Sequence, residues 1–190
     1  MKLKSTLLLG GARSGKSHFA QALAFKSDQP VLFVATAEPG DEEMRQRIEE
    51  HQKVRPSTWQ TLEVTTHIGR QIAQEIGPAQ TVIVDCVTLL VSNIFAQHGD
   101  PNSESVDASL IEQEVVADIN ELIDCLDRTN ARFIIVTSEV GLGLVPPNRL
   151  GRLYRDFLGR ANQMLAQRVD EVYLMTAGMP LRIKPADTHG

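Results

Sequence analysis

The chain has 190 residues, a formal net charge of −5 and 42% hydrophobic residues. That is one domain's worth of an ordinary globular protein, able to bury about 70% of its unfolded surface without disulfides or a structural metal. Its 24 acidic against 19 basic side chains argue against a nucleic-acid partner, which selects for Lys and Arg, and leave room for a small phosphorylated ligand. Cys86 and Cys125 form neither a zinc pattern nor a secreted disulfide framework, so a reduced cytoplasm is the expected home. The apolar run after Lys2 and Lys4 reaches only from Leu7 to Leu9, too short for a secretion signal. The other apolar runs are strand-sized, so no membrane span is expected.

In chain order, five short and nearly all-apolar runs read as buried strands: Thr6 to Leu9, Pro30 to Ala35, Thr81 to Val84, Arg132 to Thr137, and Glu171 to Met175. Helical patterns lie between them. One follows Ser17, carrying Phe19, Ala20 and Leu23. A second runs from Gly40 to His51, with Asp41, Glu42 and Glu43 in its first turn and Met44, Ile48 and His51 on one face. A third starts at a possible Ser109/Glu112 capping box and carries Ile111, Val115, Ile119, Leu122 and Leu126. A fourth is capped by Asn148 and carries Leu150, Leu153, Phe157, Ala161 and Leu165. Gln97 to Ser105 reads as a surface loop, and Pro185 to Gly190 as a loose tail. Strand and helix in alternation predict an α/β fold with a mostly parallel sheet, as one domain over residues 1–184.

Gly10-Gly11-Ala12-Arg13-Ser14-Gly15-Lys16-Ser17 matches the phosphate-loop pattern G-x-x-x-x-G-K-[ST], between a short apolar run and a helical pattern. The glycines let successive N–H groups turn toward phosphate oxygens, and the following helix start adds its positive dipole end. Lys16 supplies a mobile cation and Ser17 a hydroxyl for Mg²⁺. Asp85, directly after the third apolar run, is the expected second Mg²⁺ group; the alternative is a simple strand-end cap. His51 has two readings: a half-buried histidine finishing an apolar stripe, or a neutral imidazole able to attack phosphorus. Its spacing does not decide between them.

Beyond the phosphate loop, the chain carries Ala35-Thr36 after the second strand and Asp41, Glu43, Met44, Arg47, Ile48, His51, Arg55, Pro56 and Trp59 in a fixed spacing. Later come Thr137, Glu139-Val140-Gly141, Gly143, Val145-Pro146, Asn148 and Arg152, then Asp156, Gly159, Asn162 and Gln163. Over nearly its whole length the sequence resembles the bifunctional adenosylcobinamide kinase / adenosylcobinamide-phosphate guanylyltransferase family of cobalamin biosynthesis. The resemblance implies a P-loop NTPase (RecA-like) fold, Mg²⁺, and ATP or GTP as substrates. It implies phosphorylation of adenosylcobinamide, then transfer of GMP from GTP to adenosylcobinamide-phosphate through a guanylylated histidine. His51 matches that nucleophile, with Lys16 as its catalytic companion at the phosphate loop. Nucleotide contacts are implied at Thr36, Ala37, Glu38, Gln52, Lys53, Val54, Arg55, Glu63 and Asp85. Some relatives carry Glu at the Asp85 position, and Glu50 stands where relatives often have a second histidine. A homotrimer is also implied. Three alternatives predict other outcomes: a small-molecule kinase with no covalent nucleotide, a GTP switch, and a nucleotide-binding scaffold. The switch is disfavoured because the chain has no N-K-x-D guanine motif.

Overall fold

The computed structural model describes residues 3–38, 40, 42, 45, 46, 52, 55–98 and 107–185. Seven strands form one sheet: β1 (Thr6–Gly10), β2 (Val31–Ala35), β3 (Gln60–Glu63), β4 (Thr81–Asp85), β5 (Arg132–Val136), β6 (Glu171–Thr176) and β7 (Met179–Lys184). Their order is β3-β2-β4-β5-β1-β6-β7. β7 runs antiparallel to β6, and every other pairing is parallel. The helices are α1 (Lys16–Phe25), α2 (Ile68–Glu75), α3 (Val87–Gln97), α4 (Ala108–Arg128) and α5 (Arg149–Arg168).

The two faces of the sheet are unequally covered. Along β1, Leu7 joins a large core with residues of α2, α3, α4 and α5, while its neighbour Leu8 joins a smaller one with Ala20 and Ala24 of α1. This is the two-residue alternation of a strand buried on both sides. Polar ties hold the layers in place. The buried Asp118 of α4 accepts the His67 and Ile68 amides at 2.6 and 3.2 Å, capping α2. Gly69 of α2 lies directly on α4: an added Cβ would sit 2.2 Å from the Glu121 carbonyl oxygen.

Every expected strand is present, within one residue at each end. The two edge strands β3 and β7 carry no buried apolar run and are not marked in the sequence. The capping box at Ser109 and Glu112 is corrected. Asp107 caps α4 instead, accepting the Ser109 and Leu110 amides at 3.0 and 3.2 Å, and Glu112 pairs with Arg160 across to α5. The Asn148 cap is found, with its side chain on the Gly151 amide at 2.6 Å. Gln97 closes α3 rather than opening a loop. The helix expected up to His51 and the loose tail fall largely outside the described residues.

Candidate active site

β1 ends at Gly10, where no other residue fits: at φ 154° an added Cβ would lie 2.6 Å from the Met175 carbonyl oxygen and 2.7 Å from Ser14 Oγ. The chain then curls through residues 11–14 to Gly15, which caps α1 in a left-handed conformation (φ 93°, ψ 9°) that favours glycine. No side chain caps α1. Its first-turn N–H groups therefore have no side-chain acceptor, and the dipole end beside them suits an anion. Ser14 is buried, and its hydroxyl has no hydrogen-bond partner. Lys16 Nζ folds back over the loop, donating to the Gly10 and Gly11 carbonyls at 2.9 and 2.7 Å. Ser17, half-buried, follows in the first turn.

The β6–β7 turn braces this loop. Gly178 donates its N–H to the Ser14 carbonyl at 3.0 Å, and its Cα lies 3.1 Å from where a Gly15 Cβ would stand. Sequence reasoning missed this contact; Ala177-Gly178, both at positive φ, is the turn signal that could have revealed the hairpin.

Asp85 ends β4 in register with Ala35 of β2 and Val136 of β5, so it lies on the same carboxyl edge as the phosphate loop, one strand removed. The neighbouring Cys86 thiol links the two. Burial first and then the Asp85 charge raise its pKa, hydrogen bonds with Leu89 and Thr88 and the Lys16 ammonium lower it, and the balance leaves it pushed up to about 11. The Lys16 and Asp85 charges thus act in opposite directions on the thiol of this half-buried residue.

Thr36 is fully buried, and its hydroxyl accepts the Cys86 N–H at 2.8 Å and donates to the Cys86 carbonyl at 2.7 Å. Its N–H goes to the Asp85 carbonyl, and its own carbonyl accepts from Asn93. With these groups engaged, Thr36 locks the end of β2 to β4 and sets where Ala37, half-buried, and Glu38, exposed, leave the sheet.

Arg55 lies under β2. Its guanidinium sits 3.7 Å from the centre of the Phe33 ring, a cation–π contact. Burial lowers its pKa, and the charges of Asp85 and then Glu63 counter that. Glu63 accepts from Gln52 Nε2 at 3.3 Å. Gln52, Arg55, Pro56, Ser57, Trp59, Thr61 and Glu63 line an open pocket of about 380 Å³ on this edge of the sheet. The structure therefore brings Gln52, Arg55 and Glu63 together, and Asp85 ends the strand beside β2 on the same edge. His51, Lys53 and Val54 lie outside the described residues.

The carboxyl end of β5 is fixed by residues that the sequence reading gave no role. Thr137 donates to Asn162 Oδ1 at 2.7 Å, Asn162 Nδ2 donates to the Ser138 carbonyl at 3.0 Å, and the Ser138 N–H reaches Thr88 Oγ1 at 2.7 Å. Glu139 then donates its N–H to the Gly10 carbonyl at 3.1 Å, tying this end to the phosphate loop.

Among the described residues no group of three or more His, Cys, Asp or Glu could hold a metal. The Ser17 hydroxyl and Asp85 carboxylate are hard oxygen donors too few for an all-protein cage. They suit an Mg²⁺ ion that keeps waters and shares phosphate oxygens.

A family model described as cobinamide kinase / cobinamide phosphate guanyltransferase matches residues 6–183. The chain belongs to this family. The bifunctional adenosylcobalamin biosynthesis protein CobU of Escherichia coli is 43% identical over 179 residues, 94% of this chain and 98% of that one. The protein of the same name in Salmonella typhimurium is 41% identical over the same shares. CobP of Pseudomonas aeruginosa is 38% identical over 94% of this chain and 96% of its own. Membership makes this chain a kinase and nucleotidyltransferase of cobalamin biosynthesis. A solved structure from Pyrococcus horikoshii OT3 superimposes with a TM-score of 0.56 at 9% identity, covering 99% of this chain and 90% of that one, a likeness of fold alone. No helix among the described residues is long and apolar enough to cross a membrane.

Proposed function

We propose that residues 1–184 form one domain that catalyses two successive transfers at the carboxyl edge of its sheet. In the first, the aminopropanol hydroxyl of adenosylcobinamide attacks the γ-phosphorus of ATP or GTP. The bond to the β-phosphate oxygen breaks, the nucleoside diphosphate leaves, and the hydroxyl proton passes to solvent. The loop amides and Lys16 hold the phosphates in line, and Ser17 and Asp85 would hold Mg²⁺. Bound there, Mg²⁺ would offset phosphate charge.

In the second, a neutral ring nitrogen of His51 attacks the α-phosphorus of GTP and expels pyrophosphate. A phosphate oxygen of adenosylcobinamide-phosphate then attacks the same phosphorus, breaks the P–N bond and gives adenosylcobinamide-GDP. Splitting the transfer in two is ordinary nucleophilic catalysis. His51 directly precedes Gln52 in the chain, and Gln52, Arg55 and Glu63 line the neighbouring pocket. In this reading the pocket receives the guanosine part of the nucleotide, and Ala37, Glu38, Lys53 and Val54 are nucleotide-binding residues. A cytoplasmic homotrimer completes the reading; exposed Met179, Leu181 and Ile183 on β7 are a surface that a subunit contact would cover.

The observation that carries the proposal is that the strands ending at Gly10, Asp85 and Glu63 run parallel to one carboxyl edge, where Arg55 and Glu63 line a pocket. Its test uses GTP labelled at the α-phosphate. Label should remain on denatured wild-type protein through an acid-labile, base-stable bond, and γ-label should leave with pyrophosphate. His51→Ala should lose the adduct and guanylyl transfer while kinase activity persists. Wild-type stoichiometry in His51→Ala would move the nucleophile elsewhere. No α-label on wild type would favour a kinase without a covalent intermediate.

A further inference from the structure

We infer that the apolar loop at residues 141–147 is the platform on which the corrin ring rests. Its sequence is Gly-Leu-Gly-Leu-Val-Pro-Pro. Leu142, Leu144 and Val145 are 83, 96 and 65% exposed, three large aliphatics within four positions on one loop tip. Single exposed apolar residues are ordinary, but a cluster marks a surface that something covers.

The loop does not hold these side chains out by being slack. Glu139 Oε1 accepts the Gly141 N–H at 2.6 Å, and Arg155 Nη2 donates to the Gly141 carbonyl at 2.9 Å. The Gly143 N–H reaches the Val140 carbonyl at 3.3 Å. Arg152 Nη1 donates to the Pro146 and Pro147 carbonyls at 3.1 and 2.7 Å. Polar struts from α5 and from Glu139 thus fix the backbone, while the aliphatic side chains stay in water. A preorganised apolar surface loses little entropy when it binds.

Its place in the fold selects the occupant. The loop leaves the end of β5, the strand between β1 and β4, and its root at Glu139 is bonded to Gly10, where the phosphate loop begins. It therefore adjoins the phosphate loop, where the proposed phosphoryl transfer takes place. The kinase step needs an alcohol at that position, tethered to a macrocycle far larger than the nucleotide-sized pocket. A corrin ring has methyl-studded apolar faces with carboxamides at its rim, so one face can lie on Leu142, Leu144 and Val145 while the rim stays wet. This inference rests on the proposed phosphorylation of the corrinoid alcohol at the phosphate loop.

The test is the Leu142→Ser/Leu144→Ser double variant of the full chain. Its KM for adenosylcobinamide in the kinase step should rise roughly tenfold to a hundredfold, as expected when two leucines lose their apolar cover. Uptake of α-label from GTP alone and the sedimentation of the assembly should stay at wild-type values. An unchanged corrinoid KM overturns the inference. So does a KM change that follows dissociation of the assembly, which would make the loop a subunit contact. Should the double variant fail to fold, Leu144→Trp replaces it, read against the wild type, whose emission comes from Trp59: adenosylcobinamide should saturably quench the added indole emission, and quenching no greater than in the wild type overturns the platform. If wild type does not phosphorylate the corrinoid, the functional reading fails separately, and the quenching experiment still judges the loop.

Discussion

Alanine should destabilise the protein at one glycine of the phosphate loop and not at another. Gly15 has φ 93°, a conformation that costs an L-residue about 1–2 kcal/mol. Its new Cβ would also stand 3.1 Å from the Gly178 Cα, so backbone must retreat by a few tenths of an ångström. That retreat costs about 1 kcal/mol of overpacking and weakens the Gly178-to-Ser14 hydrogen bond. Together the effects come to about 3 kcal/mol. At about 2–4 °C per kcal/mol for a chain of this size, Tm should fall by roughly 6–12 °C. Gly11 differs: it is not among the positive-φ residues, and an added Cβ meets nothing within 4 Å. Gly11→Ala should leave Tm unchanged or raise it by roughly 1–3 °C, through lower entropy of the unfolded chain.

Calorimetry on both variants without nucleotide is the assay. A second scan with GTP at about a hundred times its Kd adds the functional readout. Bound ligand should stabilise the wild type by about 2.7 kcal/mol. That increment should shrink in Gly15→Ala, because the displaced backbone is the phosphate cradle itself. Equal Tm losses in the two variants, or a larger loss in Gly11→Ala, would refute the reasoning about the β6–β7 brace.

Other consequences follow from the same geometry. Lys16→Ala removes the cation folded over Gly10 and Gly11, so both transfers should fall by orders of magnitude; wild-type rates with wild-type GTP affinity would remove Lys16 from the site. Asp85→Asn should lower activity and move the Mg²⁺ titration to higher concentration, whereas an unchanged titration would make Asp85 a strand-end residue only. Gly69→Ala forces α2 off α4 and should lower stability by about 1–3 kcal/mol with GTP affinity intact; a thermal scan paired with a GTP titration separates these.

What the sequence made legible follows burial and local chemistry. β1, β2, β4 and β5 are buried on both faces, so each is a compact apolar run whatever its neighbours do. β3, with Gln60, Thr61 and Glu63 exposed, and β7, exposed through Ile183, are edges; pairing partners make them strands, and no run of residues announces that. α3 carries Val87, Leu90, Val91, Ile94 and Phe95 after an apolar strand, so its apolar stretch does not separate itself from the strand before it. The Ser109/Glu112 pattern misled because Asp107, two residues earlier, offers a carboxylate to two amides at once, while Arg160 on another helix holds Glu112. Caps compete locally, but tertiary partners decide which wins.

The site divides along the same line. A phosphate loop is local: its glycines, lysine and serine must be adjacent in the chain because consecutive amides do the binding, and so the motif is readable. Asp85 is nearly so, because the end of a buried strand on a parallel sheet already faces the ligand edge. Arg55 is different in kind. Its proximity to Asp85 and Glu63, and its guanidinium over Phe33, depend on three separate strands meeting in one register. The resemblance pointed to Arg55 and Glu63, and no spacing rule would have paired them. The brace of Gly178 on Gly15 and the struts under Leu142 and Leu144 are likewise products of packing. An apolar residue held out in water by distant arginines looks, in sequence, the same as one bound for the core.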